Sequence, residues 1–252
     1  MIFFKINKKW KSFGASVIGP AHVKTSTPNQ DYWMSKHYRW GSVVVVSDGL
    51  GSKPHSDHGS MMACLSVVEA AKKYRNCKYN VDDMLNFISA NWLEKIKPYS
   101  ASDCAATCLF SIQIKDEILL GRLGDGMIVA HGRSNKDSFV LDDKKQDSFS
   151  NYTNSLGKDI EASEWESIKI KSSEYRAIVL CTDGVSDDIV GRYVFDFSES
   201  FVKEYSNVFF MNRTREIQKM LNHWPVPKHS DDKTIACLFK KEGWRSIISK
   251  SL

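Results

Sequence analysis

Five aspartates stand where strongly apolar runs end, begin or turn. Asp48-Gly49 follows Val43-Val44-Val45-Val46-Ser47, Asp183-Gly184 follows the run from Ala177 to Thr182, and Asp231-Asp232 leads into Thr234 to Phe239. Asp125 lies within Gly124-Asp125-Gly126, and Asp31 follows Pro28-Asn29-Gln30 ahead of Tyr32-Trp33. A single Asp-Gly pair reads as a turn. Five such sites carry more, because several strand ends on one sheet edge can converge on one point. Carboxylates gathered there repel one another and need a compensating cation. Their hard oxygens suit Mg²⁺ or Mn²⁺, and two such ions about 3.5–4 Å apart acidify a bridging water for in-line attack on phosphorus. Glycine beside each aspartate is expected to allow close backbone approach and to leave room for metal-bound water. These spacings point to a polyaspartate, hydrolytic metal site.

Competing chemistries lack their residues. Gly14-Ala15-Ser16-Val17-Ile18 misses the last glycine of a nucleophile elbow. Gly157-Lys158 is followed by Asp159 without the upstream glycine of a phosphate-binding loop. No HExxH or CxxC occurs, and Cys104 and Cys108 have no histidine nearby to complete a zinc set. His55 and His58 read as solvated loop residues. The scattered cysteines read as reduced, buried thiols of a cytosolic protein.

The elements that must position the aspartates follow from the pattern. The run from Val43 to Ser47 predicts a buried strand, and Ala177–Thr182 and Thr234–Phe239 predict two more. Met61, Cys64, Leu65 and Val68 keep helical spacing within a helix from about Asp57 to Lys73. A second helix starts near Asn80, a good N-cap, with Asp83 three residues on, and shows Val81, Met84, Leu85, Ile88 and Trp92 on one face. Short strand-like runs at 105–114, 117–123, 127–131 and 137–141 predict an antiparallel meander. The polar stretch from Asp142 to Ser173 reads as an irregular, flap-like excursion. Ile217, Met220, Leu221 and Trp224 mark a further helix, stopped by Pro225 and Pro227. Strands, two helices, a run of strands, then helix and strand argue for an α+β class over an alternating doubly wound fold.

Composition agrees. With 252 residues, and neither repeat nor linker, one domain over 1–252 is the expectation. A content of 14 Gly, 6 Pro and 6 Cys is too low for collagen-like or disulfide-scaffold classes. The net charge of +5 is too small for a dedicated nucleic-acid binder. Neither a signal peptide nor a membrane-spanning run is found, so no membrane and a cytoplasmic location are expected.

At these residues the chain resembles the metal-dependent protein phosphatase 2C family of Ser/Thr phosphatases, most of all its compact bacterial branch. The resemblance runs in order from about Gly14 to Phe239. It is carried by Gly19-Pro20-Ala21-His22 with Pro28-Asn29-Gln30-Asp31, by Val46-Ser47-Asp48-Gly49-Leu50-Gly51-Ser52 and by Gly59-Ser60. Further on it rests on Leu123-Gly124-Asp125-Gly126, Asn154-Ser155-Leu156-Gly157, Leu180-Cys181-Thr182-Asp183-Gly184-Val185 and Ser230-Asp231-Asp232-Lys233-Thr234.

The resemblance implies a four-layer α-β-β-α sandwich, with two antiparallel sheets flanked by helices. It implies a two-ion Mn²⁺ or Mg²⁺ centre in which a metal-bridging hydroxide hydrolyses phosphoserine or phosphothreonine. Asp48 would bridge both ions, Gly49 would offer its carbonyl, and Asp183 and Asp231 would complete one ion. Asp31 would act near the second ion through water, and Asp125 with Asp183 would hold a weaker third. Asp232, where relatives often carry Asn, is expected behind the ligands. Two positions depart from the pattern. Leu50 stands where eukaryotic members carry a histidine proposed as general acid, and Ser26 stands where many relatives hold the phosphate with Arg. Lys24 or His22 is the expected substitute for that Arg. The implied partners are a phosphorylated protein and a cognate Ser/Thr kinase. The two departures keep open a second reading, a pseudophosphatase that binds a phosphoprotein or kinase without turnover.

Overall fold

The computed structural model describes residues 10–76, 79–142, 154–158, 160–226 and 229–241. Cys77, Pro227 and residues 143–153 and 159 of the expected excursion lie outside them. The run of four valines shows how the layers arise. All four are fully buried in β3 (Gly41–Asp48), and side chains alternate across a strand. Val43 and Val45 face a core shared with helices, whereas Val44 and Val46 face a core shared with another sheet. An unbroken apolar run is what a strand covered on both faces requires.

The described residues form two five-stranded antiparallel sheets. One has the order β2 (Asp31–His37), β3, β4 (Cys108–Ile114), β5 (Glu117–Leu123) and β8 (Glu166–Lys171). The other has the order β1 (Trp10–Val17), β10 (Lys233–Lys240), β9 (Tyr175–Cys181), β6 (Met127–Gly132) and β7 (Phe139–Leu141). Helices α2 (Ser56–Tyr74) and α3 (Val81–Lys95) cover the first sheet through Ala63, Val67, Ala71, Met84, Ile88 and Trp92. Helices α5 (Val194–Asn207) and α6 (Phe210–Asn222) cover the second through Phe201, Val202, Tyr205, Ile217 and Leu221. Between the sheets lie Leu109, Ile118, Leu120, Ile128, Ile178, Leu180 and Leu238. This is the expected four-layer α+β sandwich.

Local details sharpen several expectations. Asn80 caps α3 by accepting from the Asp82 N–H at 3.0 Å. Strand β4 begins at Cys108, because Ser102–Cys104 make a 3₁₀ turn and Ala106 only bridges Gly49 and Leu156. The last run of the meander is regular only from Phe139, after another 3₁₀ turn at Asn135–Asp137. Within the stretch expected to be irregular, Glu166–Lys171 is a regular edge strand on β5. An edge strand with one buried side chain shows little apolar alternation. The described cysteines Cys64, Cys104, Cys108, Cys181 and Cys237 are buried free thiols, as expected. His55 and His58 are not solvated loop residues: they pack on the Tyr99 ring with centroids 3.9 and 5.5 Å away. No described helix is long and apolar enough to cross a membrane.

Trp92 ties α3 to the first turns of α2. Its indole N–H donates to the Gly59 carbonyl at 3.0 Å, near the start of α2, and its side chain is fully buried. Trp92→Ala is expected to cost about 3–5 kcal/mol from the cavity it leaves. Trp92→Phe is expected to cost about 1–3 kcal/mol, from the lost indole bond to the Gly59 carbonyl and the ring volume removed. Urea unfolding midpoints at constant slope check both values; a Trp92→Ala loss below about 1 kcal/mol would contradict this packing.

Candidate metal centre

Strand geometry brings the first two aspartates together. Asp31 opens β2, Asp48 closes β3, and they are directly opposed partners in the antiparallel ladder. Opposed residues of such a pair project from the same face. The other sheet delivers its carboxylates to the same place. Strand β9 ends at Cys181, and Asp183 opens the short helix α4 (Asp183–Ser186). Beside it, Asp231-Asp232 lead into β10, so an exit and an entry of antiparallel neighbours lie at one end. The Asp48 carboxyl lies within hydrogen-bonding reach of both the Asp31 and the Asp183 carboxyl, and Asp231 acts on Asp48 and Asp183 through its charge. Asp125 occupies the β5–β6 turn at this end, between glycines with φ of +92° and +107°.

Crowding and burial set the protonation of this cluster. Burial, together with the charge of Asp232, holds the Asp31 carboxyl up at about 7 against the hydrogen bonds it accepts. Burial first, then Asp31, Asp183 and Asp231, push Asp48 well above the carboxylate range. Asp183 is raised to about 6 by burial and by Asp231. Such groups stay charged together only beside a cation.

The donor set fits a hard divalent ion. Oδ2 of Asp31 accepts the Thr182 hydroxyl at 2.8 Å, while its Oδ1 is buried with no donor among the described residues. Lys233 does not neutralise the carboxyls by direct contact: its Nζ donates to the Asp231 carbonyl at 3.0 Å. Among the described residues no three His, Cys, Asp or Glu side chains stand as a closed ligand set. The carboxyls meet pairwise, with Asp48 common to both pairs.

The backbone around them is fixed by long-range bonds that spacing alone does not reveal. Asp232 takes the Gly19 N–H on Oδ1 and the Gln30 N–H on Oδ2, both at 2.6 Å, and His22 Nδ1 lies 2.9 Å from Oδ2. Thr182 accepts the Thr234 N–H at 3.1 Å as it donates to Asp31, so one hydroxyl joins β9, β10 and β2. The glycines next to Asp48 and Asp183 allow the close backbone approach expected of them. A Cβ on Gly184 would lie 1.8 Å from the Asp232 carbonyl oxygen, and one on Gly49 would lie 2.4 Å from that of Ser56.

Of the expected phosphate-binding residues, His22 is engaged with Asp232, and Lys24 is exposed in the last turn of α1 (Pro20–Thr25). Ser26 ends that helix in the left-handed region, with φ of 56°. A cleft of about 260 Å³ is lined by the expected Asp183, Gly184, Ser230 and Asp231, and by Asp187 and His229, which the sequence reading did not single out. Asp187 was findable, since four residues after Asp183 it returns to the same side of a helical turn. Nothing in the sequence marked His229 or Thr182.

The raised Asp31 carboxyl gives a signed pH effect in metal-free protein. Between about pH 4, where an unfolded carboxylate titrates, and about pH 7, the native state keeps a proton that the unfolded chain has lost. Wild-type stability from this source therefore falls as pH rises through that window. Asp31→Asn removes the effect and can still accept from Thr182. Its Tm relative to wild type, measured with chelator, is expected to rise from pH 4.5 to 7.5. His131, held down at about 4 by burial, acts in the opposite sense but equally in both proteins. A Tm difference that does not change with pH would overturn this account.

With this geometry in hand, known proteins give a consistent picture. The protein phosphatase 2C family profile matches residues 18–232. No curated protein matches the chain at the sequence level. Among solved structures, RsbX in complex with magnesium aligns with a TM-score of 0.59 and 14% identity, over 93% of this chain and 96% of its own. Serine-threonine phosphatase 2C from Toxoplasma gondii aligns with a TM-score of 0.62 and 11% identity, over 92% and 95%. The S. agalactiae serine/threonine phosphatase gives 0.61 and 12%, over 92% and 99%. At such identities these structures speak for the shared fold, and the profile, which spans most of the sequence, speaks for descent. The chain belongs to the protein phosphatase 2C family.

Proposed function

We propose that the protein is a Mg²⁺- or Mn²⁺-dependent phosphatase of phosphoserine and phosphothreonine in proteins. The observation that carries this reading is Asp48, directly opposed to Asp31 in the β2–β3 ladder and within reach of Asp183, which follows β9 of the other sheet. Asp48 would hold two ions, with the Gly49 carbonyl, Asp183 and Asp231 as further ligands and Asp31 acting through water; Asp125 with Asp183 would hold a weaker third. The ions, when bound, neutralise the carboxylates and the phosphate oxygens and acidify water for in-line attack on phosphorus. The magnesium bound to RsbX, a structural relative, supports a hard divalent ion.

The chain's own residues set the rest. Leu50 has no proton to give, so no side chain at that position protonates the leaving alkoxide. Its N–H donates to the Ala105 carbonyl at 2.9 Å, which with the Gly49 N–H to Gln30 at 3.1 Å fixes the loop after Asp48. Lys24, two residues before Ser26 and exposed, would take the place of the missing Arg, and a lysine holds phosphate as a point charge without the bidentate fork of a guanidinium. His22, drawn to Asp232, is left to steady this loop more than to bind phosphate. A phosphoprotein is the substrate and a cognate Ser/Thr kinase the fitting partner, in the cytoplasm. Leu50 and Ser26 favour the pseudophosphatase reading, but a non-catalytic module has no use for a buried set of mutually repelling carboxylates.

Release of phosphate from a phosphothreonine peptide should require Mn²⁺ or Mg²⁺ and stop with chelator. Asp48→Ala, with an unchanged far-UV circular dichroism spectrum, should lose at least about 100-fold in rate. A folded Asp48→Ala protein at wild-type rate would sink the mechanism. Calorimetric metal binding without turnover would turn the assignment to the pseudophosphatase.

A further inference from the structure

We infer that Asp188 is a positioning residue for the metal centre, holding the segment that carries Asp231 against the loop that carries Asp183. The inference rests on the reading of the site proposed above. Asp188 follows α4, five residues after Asp183, and a single oxygen, Oδ2, accepts the Trp224 indole N–H and lies beside His229 Nδ1. The Trp224 indole N–H lies at 2.7 Å and His229 Nδ1 at 2.5 Å. Both ends of the His229 contact are nearly buried, at 14% and 12% side-chain exposure. Trp224 is itself fixed, packing edge-on against Phe197 at a centroid distance of 5.9 Å and joining the core beneath the second sheet.

The geometry makes this contact a clamp. After α6 ends at Asn222, the described residues up to Asp231 belong to no helix or strand. Trp224 and His229 are tied to Asp188, and the next tie is Ala21 N–H to the Ser230 carbonyl at 3.0 Å. From the other direction Lys233 Nζ donates to the Asp231 carbonyl at 3.0 Å. Asp231 is thus braced by Lys233 on one side, and on the other by the segment that Asp188 holds through Trp224 and His229. Groups that orient metal ligands in this way change metal affinity about 10–100-fold when removed.

The test is calorimetric titration of Mn²⁺ into the full chain, well below each Tm, beside the metal dependence of turnover. Asp188→Ala is expected to weaken Mn²⁺ binding about 10-fold or more, and to raise the Mn²⁺ concentration for half-maximal rate while leaving kcat at saturating Mn²⁺ largely restored. Asp188→Asn, whose amide oxygen can accept both donors, should bind within about 3-fold of wild type. The Asp188→Ala, His229→Ala pair should lose less than the sum of the single losses. If Asp188→Ala does not fold, Trp224→Phe, which removes the indole N–H and keeps one aromatic ring, and His229→Asn, which keeps a donor near the Nδ1 position, take its place. The first is then expected to weaken binding about 3-fold and the second to preserve it. Wild-type affinity in a folded Asp188→Ala protein would overturn the inference while leaving the phosphatase reading in place; so would an Asn variant as weak as the Ala one. A wild-type chain that neither binds Mn²⁺ nor releases phosphate would overturn the phosphatase reading, and the inference with it.

Discussion

The architecture depends on bringing together carboxylates that repel one another. Two unit charges about 4 Å apart cost about 4 kcal/mol at the effective dielectric of a protein edge. Each buried valine returns about 1.5–3 kcal/mol, so the fully buried Val43 to Val46 run of β3 outweighs one such contact. The apolar layers on both faces of β3 make the strand stiff, and its stiffness holds Asp48 opposite Asp31. Nothing local to the aspartates would do so. The site is stable because the sandwich leaves its strand ends nowhere else to go.

Backbone contact finishes what the cores begin. Gly184 lies so close to the Asp232 carbonyl, and Gly49 to that of Ser56, that no side chain fits at either place. Each Asp-Gly pair therefore combines two demands, a charged group for chemistry and a bare Cα for approach. A turn needs only the second, which is why a lone Asp-Gly says little and a set of them at strong strand ends says more.

This division also sets how much was readable in the sequence. Elements buried on both faces, such as β3, β9 and β10, announce themselves through unbroken apolar runs. Edge and surface elements do not. Strand β8 buries one side chain, and α1 buries none. Helix α5 has a legible stripe at Val194, Phe201, Val202 and Tyr205, but Ser198 interrupts it, turning its hydroxyl to the Val194 carbonyl at 2.8 Å. At the site, residue types and strand ends identified Asp31, Asp48, Asp183 and Asp231. Their supports did not show, because the bonds of Asp232 to Gly19 and Gln30 span 213 and 202 positions. Periodicity sees near neighbours, and these contacts exist only once both sheets have formed.

Asp232 shows how a departure from the family pattern becomes intelligible in three dimensions. Each of its oxygens receives a backbone N–H, from Gly19 and from Gln30. An asparagine there would turn its NH₂ toward one of these donors, because only one of its two terminal atoms accepts. This loop geometry therefore calls for a carboxylate, and the carboxylate draws His22 to within 2.9 Å. The same contact turns His22 toward Asp232, while Lys24, a helical step further on, is exposed. Asp232 and His22 are thereby linked, and the carboxylate that organises the loop backbone also places its histidine. The loop from Gly19 to Gln30 carries this contact inward, on the edge that holds the other carboxylates.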